Sequence, residues 1–188
     1  MSLSEAEKLN VSDNDIYFSV GIHPWDIPKL EKGWESRLEK ICEHKAVIMV
    51  GECGFDKNTD VSFDAQKAVF DNHIRVSESF KMPLIIHCVG YYNELAVIKK
   101  QFNPEQKWII HGFRGKPQLA DQLIRNGFYL SFGERYNPES VKITALDRIF
   151  IETDESKKPI KEIYQEISEL KGCEIESLLV SSSEIFNL

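Results

Sequence analysis

The chain has 188 residues, 42% of them hydrophobic and 11% aromatic, enough apolar material for one sizeable core, which argues against a disordered tail or a small disulfide-stapled module. Its 23 Lys and Arg against 30 Asp and Glu give a formal net charge of −7, which argues against a protein that holds nucleic acid mainly by a broad basic surface, while a metal-neutralised acidic cleft stays open. No apolar run approaches the ~20 residues of a membrane span, and Met1-Ser2-Leu3-Ser4-Glu5 has neither the basic start nor the apolar stretch of a signal peptide, so a soluble cytoplasmic protein without a membrane partner is expected. Cys42, Cys53, Cys88 and Cys173 are scattered without a CxxC pair, as isolated thiols in a reducing compartment would be.

In chain order, strand-like apolar runs fall at Ile16–Gly21, Ala46–Gly51, Pro83–His87, Lys107–His111, Gly127–Phe132 and Arg148–Glu152. They are rich in β-branched and aromatic residues and nearly continuous in apolar character, the pattern of strands buried on both faces. Helical stretches lie between them at Gly33–Glu43, Ser62–Phe80, Tyr91–Phe102, Pro117–Asn126 and Pro138–Ala145. In the second of these, Phe63, Gln66, Phe70, Ile74 and Ser77 fall close to one helical face. Ile160–Leu170 and Ile175–Phe186 read as two closing helices separated by Gly172. Repeated strand-then-helix units imply an α/β fold with a parallel sheet and right-handed crossovers, and no linker or repeat divides residues 1–188, so one domain is expected.

In parallel α/β folds the working residues sit at the C-terminal ends of strands and in the loops just after them. Those points carry His23, Glu52 followed by Asp56, His87, His111 followed by Arg114, and Asp154. Imidazole and carboxylate together suit a divalent metal such as Zn²⁺, Mn²⁺ or Fe, so Glu52, His87, His111 and Asp154 are candidate ligands. Side chains alternate faces along a strand, which turns Cys53 and Cys88 away from their ligand neighbours and excludes them. His44 and His73 lie inside helical stretches and are expected to be solvated or packing histidines.

Taken in order, Gly21-Ile22-His23-Pro24, Gly51-Glu52-Cys53-Gly54-Phe55-Asp56, Gln66 with Phe70, Pro83-Leu84-Ile85-Ile86-His87-Cys88, His111-Gly112-Phe113-Arg114-Gly115 and Glu152-Thr153-Asp154 resemble the TatD-like family of metal-dependent hydrolases. The resemblance implies a TIM-type (β/α)8 barrel, here with about six parallel strands recognisable, a two-metal site and phosphodiester hydrolysis, often of DNA. It implies that Glu52 bridges two metal ions, that His87 and His111 bind one of them, and that Asp154 binds the other and helps activate water. His23 would lie near substrate and Asp56 would orient a loop or back a ligand; Arg114, Lys116 and Arg135 are local candidates for phosphate contact or, equally, ordinary solvated charges on the rim.

The departures shape the expectation further. The family's first-strand His-x-His pair occurs nowhere in the sequence, and only residues 1–15 precede the strand matching the family's third, so the first two strand–helix units are expected to be absent. Val89 stands where the family carries arginine, and Glu155-Ser156-Lys157-Lys158-Pro159 replaces the usual Ala-Pro start. The cofactor is expected to be Zn, Mg or Mn, two ions in the family and one or none here, with low hydrolytic activity. The strands at 16–21 and 148–152 would become sheet edges open to a homodimer, with Ser4–Asp15 as a partial cover. Two other functions share this framework: hydrolysis of a small amide or ester, and a catalytically lapsed barrel acting as a binding module.

Overall fold

The computed structural model describes residues 1–7 and 16–179 and divides the chain into two compact units, Met1–Trp108 and Ile109–Leu188. Strands and helices alternate in both, and six strands are present among the described residues. In the first unit, β1 (Phe18–Val20), β2 (Val47–Asp56) and β3 (Leu84–Val89) pair in parallel in chain order. Val20, Val50, Phe55, Leu84 and Ile86 are buried along them, which accounts for the unbroken apolar runs.

β2 runs further than the sequence implies, through Glu52 to Asp56 instead of stopping at Gly51. Its two glycines ordinarily signal the end of a strand, yet here they allow it to continue. Gly51 and Gly54 have φ of 116° and 136°. A Cβ on either would stand 2.1 Å from the Ile85 carbonyl oxygen or 2.2 Å from that of His87, so only glycine permits this approach of β2 to β3. The extension places both Glu52 and Asp56 on a rigid element.

Helices α2 (Trp34–Cys42), α3 (Phe63–Phe80) and α4 (Tyr92–Phe102) complete the expected order. The Ser62 hydroxyl starts α3 by accepting the Ala65 N–H at 3.3 Å, and the anticipated face is buried at Gln66, Phe70, Ile74 and Ser77. Phe70 meets the rings of Phe55 and Trp108 edge-on at 4.9 and 5.3 Å. Burial of such a ring contributes roughly 1.5–3 kcal/mol. Two short elements of the first unit escape the sequence reading: α1 (Leu3–Ala6) and a 3₁₀ helix, Pro24–Lys29. The first is too short to show a period, and the second is set by prolines rather than by periodicity. Met1 and Ser2 pair alongside β1 through Gly21, so part of the edge expected there is covered; residues 8–15 of the expected cover lie outside the described residues.

Gln66 is buried and ties α3 to the end of β2. Its Oε1 accepts the Asp56 N–H at 2.7 Å, and its Nε2 donates to the carbonyls of Asp56 at 3.0 Å and Val61 at 2.8 Å. Gln66→Leu leaves these backbone groups without their partner and is expected to cost about 2–4 kcal/mol, read as a lower urea midpoint.

His73 is a packing histidine, fully buried and stacked on Trp34 at 5.7 Å, whereas His44 is exposed. His73 Nε2 accepts the Ile22 N–H at 3.0 Å and Nδ1 donates to the Val69 carbonyl at 2.8 Å. Burial lowers its pKa to about 4 from 6.5. Between those values the unfolded chain takes up a proton that the folded chain refuses, so stability falls as pH drops from 6.5 towards 4. The loss should reach about 2 kcal/mol by pH 5. Urea titrations at pH 7 and pH 5 should show this slope in the wild type and lose it in His73→Gln.

In the second unit, β4 (Trp108–Ile110), which begins on the last residue of the first, β5 (Phe128–Phe132) and β6 (Ile149–Ile151) follow in chain order, β5 and β6 being parallel. Helices α5 (Pro117–Arg125), α6 (Pro138–Ile143) and α7 (Ile160–Lys171) match the expected positions within a few residues. Leu123, Phe128, Val141, Ile163 and Ile167 are fully buried. The Lys171 ammonium donates to the carbonyls of Val141 and Thr144 at 3.0 and 2.6 Å, satisfying acceptors at the end of α6. Of the second closing helix, residues 175–179 are helical and the remainder lies outside the described residues. No helix among the described residues is long and apolar enough to cross a membrane.

Candidate functional site

Among the described residues, each unit carries one group of potential metal ligands. In the first, β1 leads through Gly21-Ile22 to His23, β2 contributes Glu52 and Asp56, and β3 contributes His87. His23 caps the 3₁₀ helix: its Nδ1 accepts the Trp25 N–H at 3.2 Å, which leaves the proton of the neutral ring on Nε2, 3.5 Å from Glu52 Oε1. Burial, aided by the neighbouring His87, lowers the His23 pKa and favours that neutral form. The two imidazoles meet edge-on at 4.3 Å.

His87 is held from both ends. Its Nδ1 lies 3.2 Å from Glu52 Oε1 and its Nε2 lies 2.9 Å from Asp56 Oδ2. Asp56 also accepts the Trp25 indole N–H at 2.9 Å and the Asn58 backbone N–H at 2.8 Å. Burial pushes the Asp56 carboxyl up, but the donors from Trp25, Asn58 and His87 outweigh it and hold the pKa below the ordinary value. An ionised carboxylate can only accept, so His87 carries a proton on Nε2, and in the neutral ring Nδ1 turns its lone pair towards Glu52.

This donor set fits a divalent ion. Two ligands each ~2.0–2.1 Å from a tetrahedral ion stand about 3.3 Å apart. The His87–Glu52 separation of 3.2 Å matches, and ligand atoms of His23, Glu52 and His87 lie within 4.8 Å of one another. His23 could join only by giving up its Nε2 proton, so Glu52 and His87, backed by Asp56, form the better pair.

In the second unit the group is His111, Glu152 and Asp154, again with ligand atoms within 4.8 Å of one another. Glu152 is fixed by the Gly112 N–H, which donates to Oε1 at 2.6 Å, and by the Ser131 hydroxyl on its other oxygen; His111 Nδ1 lies 3.6 Å from Oε1. Asp154 has a φ of 49°, the left-handed region that Asp and Asn enter more readily than most residues. Arg114 Nη2 stands 3.9 Å from Asp154 Oδ2 in a partly exposed pair that solvent screens to about 0–1 kcal/mol. A cavity of ≈ 120 Å³ opens here, lined among others by Arg114, Arg135, Glu152, Asp154 and Ser156. Lys116 sits at the start of α5 and does not line it.

The structure therefore sets Glu52 and His87 beside His23 in the first unit, and His111 and Asp154 beside Glu152 in the second. Glu152 is the member of this group that the sequence reading does not single out as a ligand. The available signal was an acidic residue ending the apolar run Ile149-Phe150-Ile151, in the way His111 ends its own. Cys53 and Cys88 are buried outside both groups, and burial raises the Cys53 pKa well above its usual value and that of Cys88 to about 12, so neither offers a thiolate.

Comparison with known proteins bears on both units. The sequence profile of a family described as TatD related DNase matches residues 2–187. The uncharacterised metal-dependent hydrolase YabD of Bacillus subtilis is 29% identical, over 90% of this chain and 75% of its own length. A relative named 3'-5' ssDNA/RNA exonuclease TatD, from Cronobacter turicensis, is 27% identical over 72% of this chain, which spans 56% of that protein. Among solved structures, YjjV, a TatD homologue from Escherichia coli, superposes with a TM-score of 0.83 at 21% identity, covering 99% of this chain and 81% of its own. That likeness extends the fold match along the whole α/β chain.

Proposed function

Because the chain belongs to the TatD-related DNase family of metal-dependent hydrolases, we propose that it hydrolyses phosphodiester bonds of DNA with metal-activated water, as a single TatD-like domain acting in the cytoplasm. The observation that carries this reading is the pairing of His and carboxylate side chains at metal-ligand spacing in both units. A divalent ion bound by such groups lowers the pKa of water and neutralises charge on the attacking and leaving oxygens. Glu52 and His87 are the proposed ligands of the first unit, with His111, Glu152 and Asp154 those of the second.

The chain's own groups divide the remaining work. Asp56 accepts the His87 Nε2 proton and so keeps Nδ1 available and the ring oriented. His23 holds its proton on Nε2. The Ser131 hydroxyl and Gly112 amide hold Glu152 in one rotamer, and Asp154 is the proposed acceptor of the proton released by the attacking water. Arg114, half-exposed at the same cavity, supplies a positive charge for a phosphate. The reading is tested by divalent-ion-dependent release of nucleotides from single-stranded DNA. Release that is lost in Glu52→Ala supports it, whereas turnover of small esters with DNA untouched would replace it.

A further inference from the structure

We propose that Trp25 is a stacking platform for a nucleobase, so that the first unit grips a single strand through its bases. The inference rests on the reading of this chain as a DNA hydrolase and names how its substrate is held. Among the three tryptophans, Trp34 is 8% exposed and Trp108 is 0% exposed, both in keeping with core packing, but Trp25 is 51% exposed. An indole left half in water is not serving the core. Nor is it loose: its Nε1–H is tied to Asp56 Oδ2 at 2.9 Å, and its backbone N–H to His23 Nδ1 at 3.2 Å. The edge of the ring is thus fastened to Asp56 and the backbone of the residue to His23, both in the metal-ligand neighbourhood. A fixed ring of this kind loses little entropy when a flat partner settles on it.

The surroundings favour a base as that partner. Trp25 walls a groove of ≈ 530 Å³ whose other lining includes Ile27, Pro28, Asn58, Thr59 and Val61. Ile27, Pro28 and Val61 offer apolar contact to a ring, while Asn58 and Thr59 bring groups that can meet a base edge. Charge points the same way. With a net charge of −7 the chain has little general attraction for phosphates, so stacking, which is available on every base, must supply much of the hold on a single strand. The link through Asp56 also sets the indole one hydrogen bond away from the carboxylate that orients His87, which makes Trp25 a positioning residue for His87 as well as a substrate contact.

The test uses intrinsic fluorescence, because the exposed indole is the one a strand can reach. Short oligothymidylate is titrated into the full chain in EDTA, where metal-dependent turnover is suppressed, alongside a matched strand lacking bases. The expected result is saturable quenching by oligothymidylate, with the base-free strand and Trp25→Ala both weaker by about tenfold. For Trp25→Ala, binding is read by anisotropy of a labelled strand. Trp25→Phe, which keeps an aromatic face but drops the Nε1 donor, should bind within about threefold of wild type and lower kcat rather than raise KM, since Asp56 loses a donor. Unchanged affinity in Trp25→Ala, or equal binding of the base-free strand, overturns the proposal even if DNA is hydrolysed. Quenching by the oligonucleotide without any DNA hydrolysis upholds the platform and overturns the proposed reaction instead.

Discussion

Glu52→Gln is expected to lower DNA hydrolysis on the order of 10³-fold or more, because it removes the carboxylate around which the first-unit ligands gather. Glu52 Oε1 is 3.2 Å from His87 Nδ1 and 3.5 Å from His23 Nε2, so one oxygen organises both imidazoles. An amide keeps the shape but not the charge, and its NH₂ would turn a donor towards positions meant for a cation. Because Glu52 is only partly buried, the fold should persist, with a urea midpoint close to wild type. Turnover of a single-stranded oligonucleotide across a series of Mn²⁺ concentrations checks this. Activity that recovers at high Mn²⁺ would show weakened binding, and activity lost at every concentration would show that the carboxylate is needed for the reaction itself.

Asp154→Asn is the second large effect, and its signature differs. Loss of the proposed proton acceptor should cut kcat about 10²–10⁴-fold while leaving KM for the strand near its original value. Asn enters the left-handed region as readily as Asp, so a φ of 49° is retained without added strain. Circular dichroism and thermal unfolding should therefore match wild type. A proportionate rise in KM instead of a fall in kcat would assign Asp154 to substrate binding through its Arg114 contact.

Much of this arrangement was readable from the residues. The apolar runs from Ala46 to Gly51, Pro83 to His87 and Gly127 to Phe132 became strands because their β-branched and aromatic side chains are buried, and α3 followed from the spacing of Gln66, Phe70, Ile74 and Ser77. What escaped has physical causes. The continuation of β2 past Gly51 was hidden because glycine ordinarily interrupts a strand, and only the approach to the Ile85 and His87 carbonyls explains its presence. The His23–Glu52 proximity depends on where the 3₁₀ turn places a ring, which no periodicity records. Glu152 read as one more acidic residue until its contacts with Gly112 and Ser131 gave it a fixed place. Asp56 shows the same limit: the family resemblance implies a supporting role, but its three donors, from Trp25, Asn58 and His87, come from separate segments.

The central claim is that this chain holds divalent cations through paired imidazole and carboxylate groups. Calorimetric titration of Mn²⁺ into the metal-free wild-type chain, repeated with Glu52→Gln, tests it most directly. The account predicts saturable uptake by the wild type and, in the variant, at least about a hundredfold loss of affinity at the first-unit group, with uptake by His111, Glu152 and Asp154 retained. Wild-type protein that takes up no ion, or a variant whose uptake matches that of the wild type in full, would contradict it.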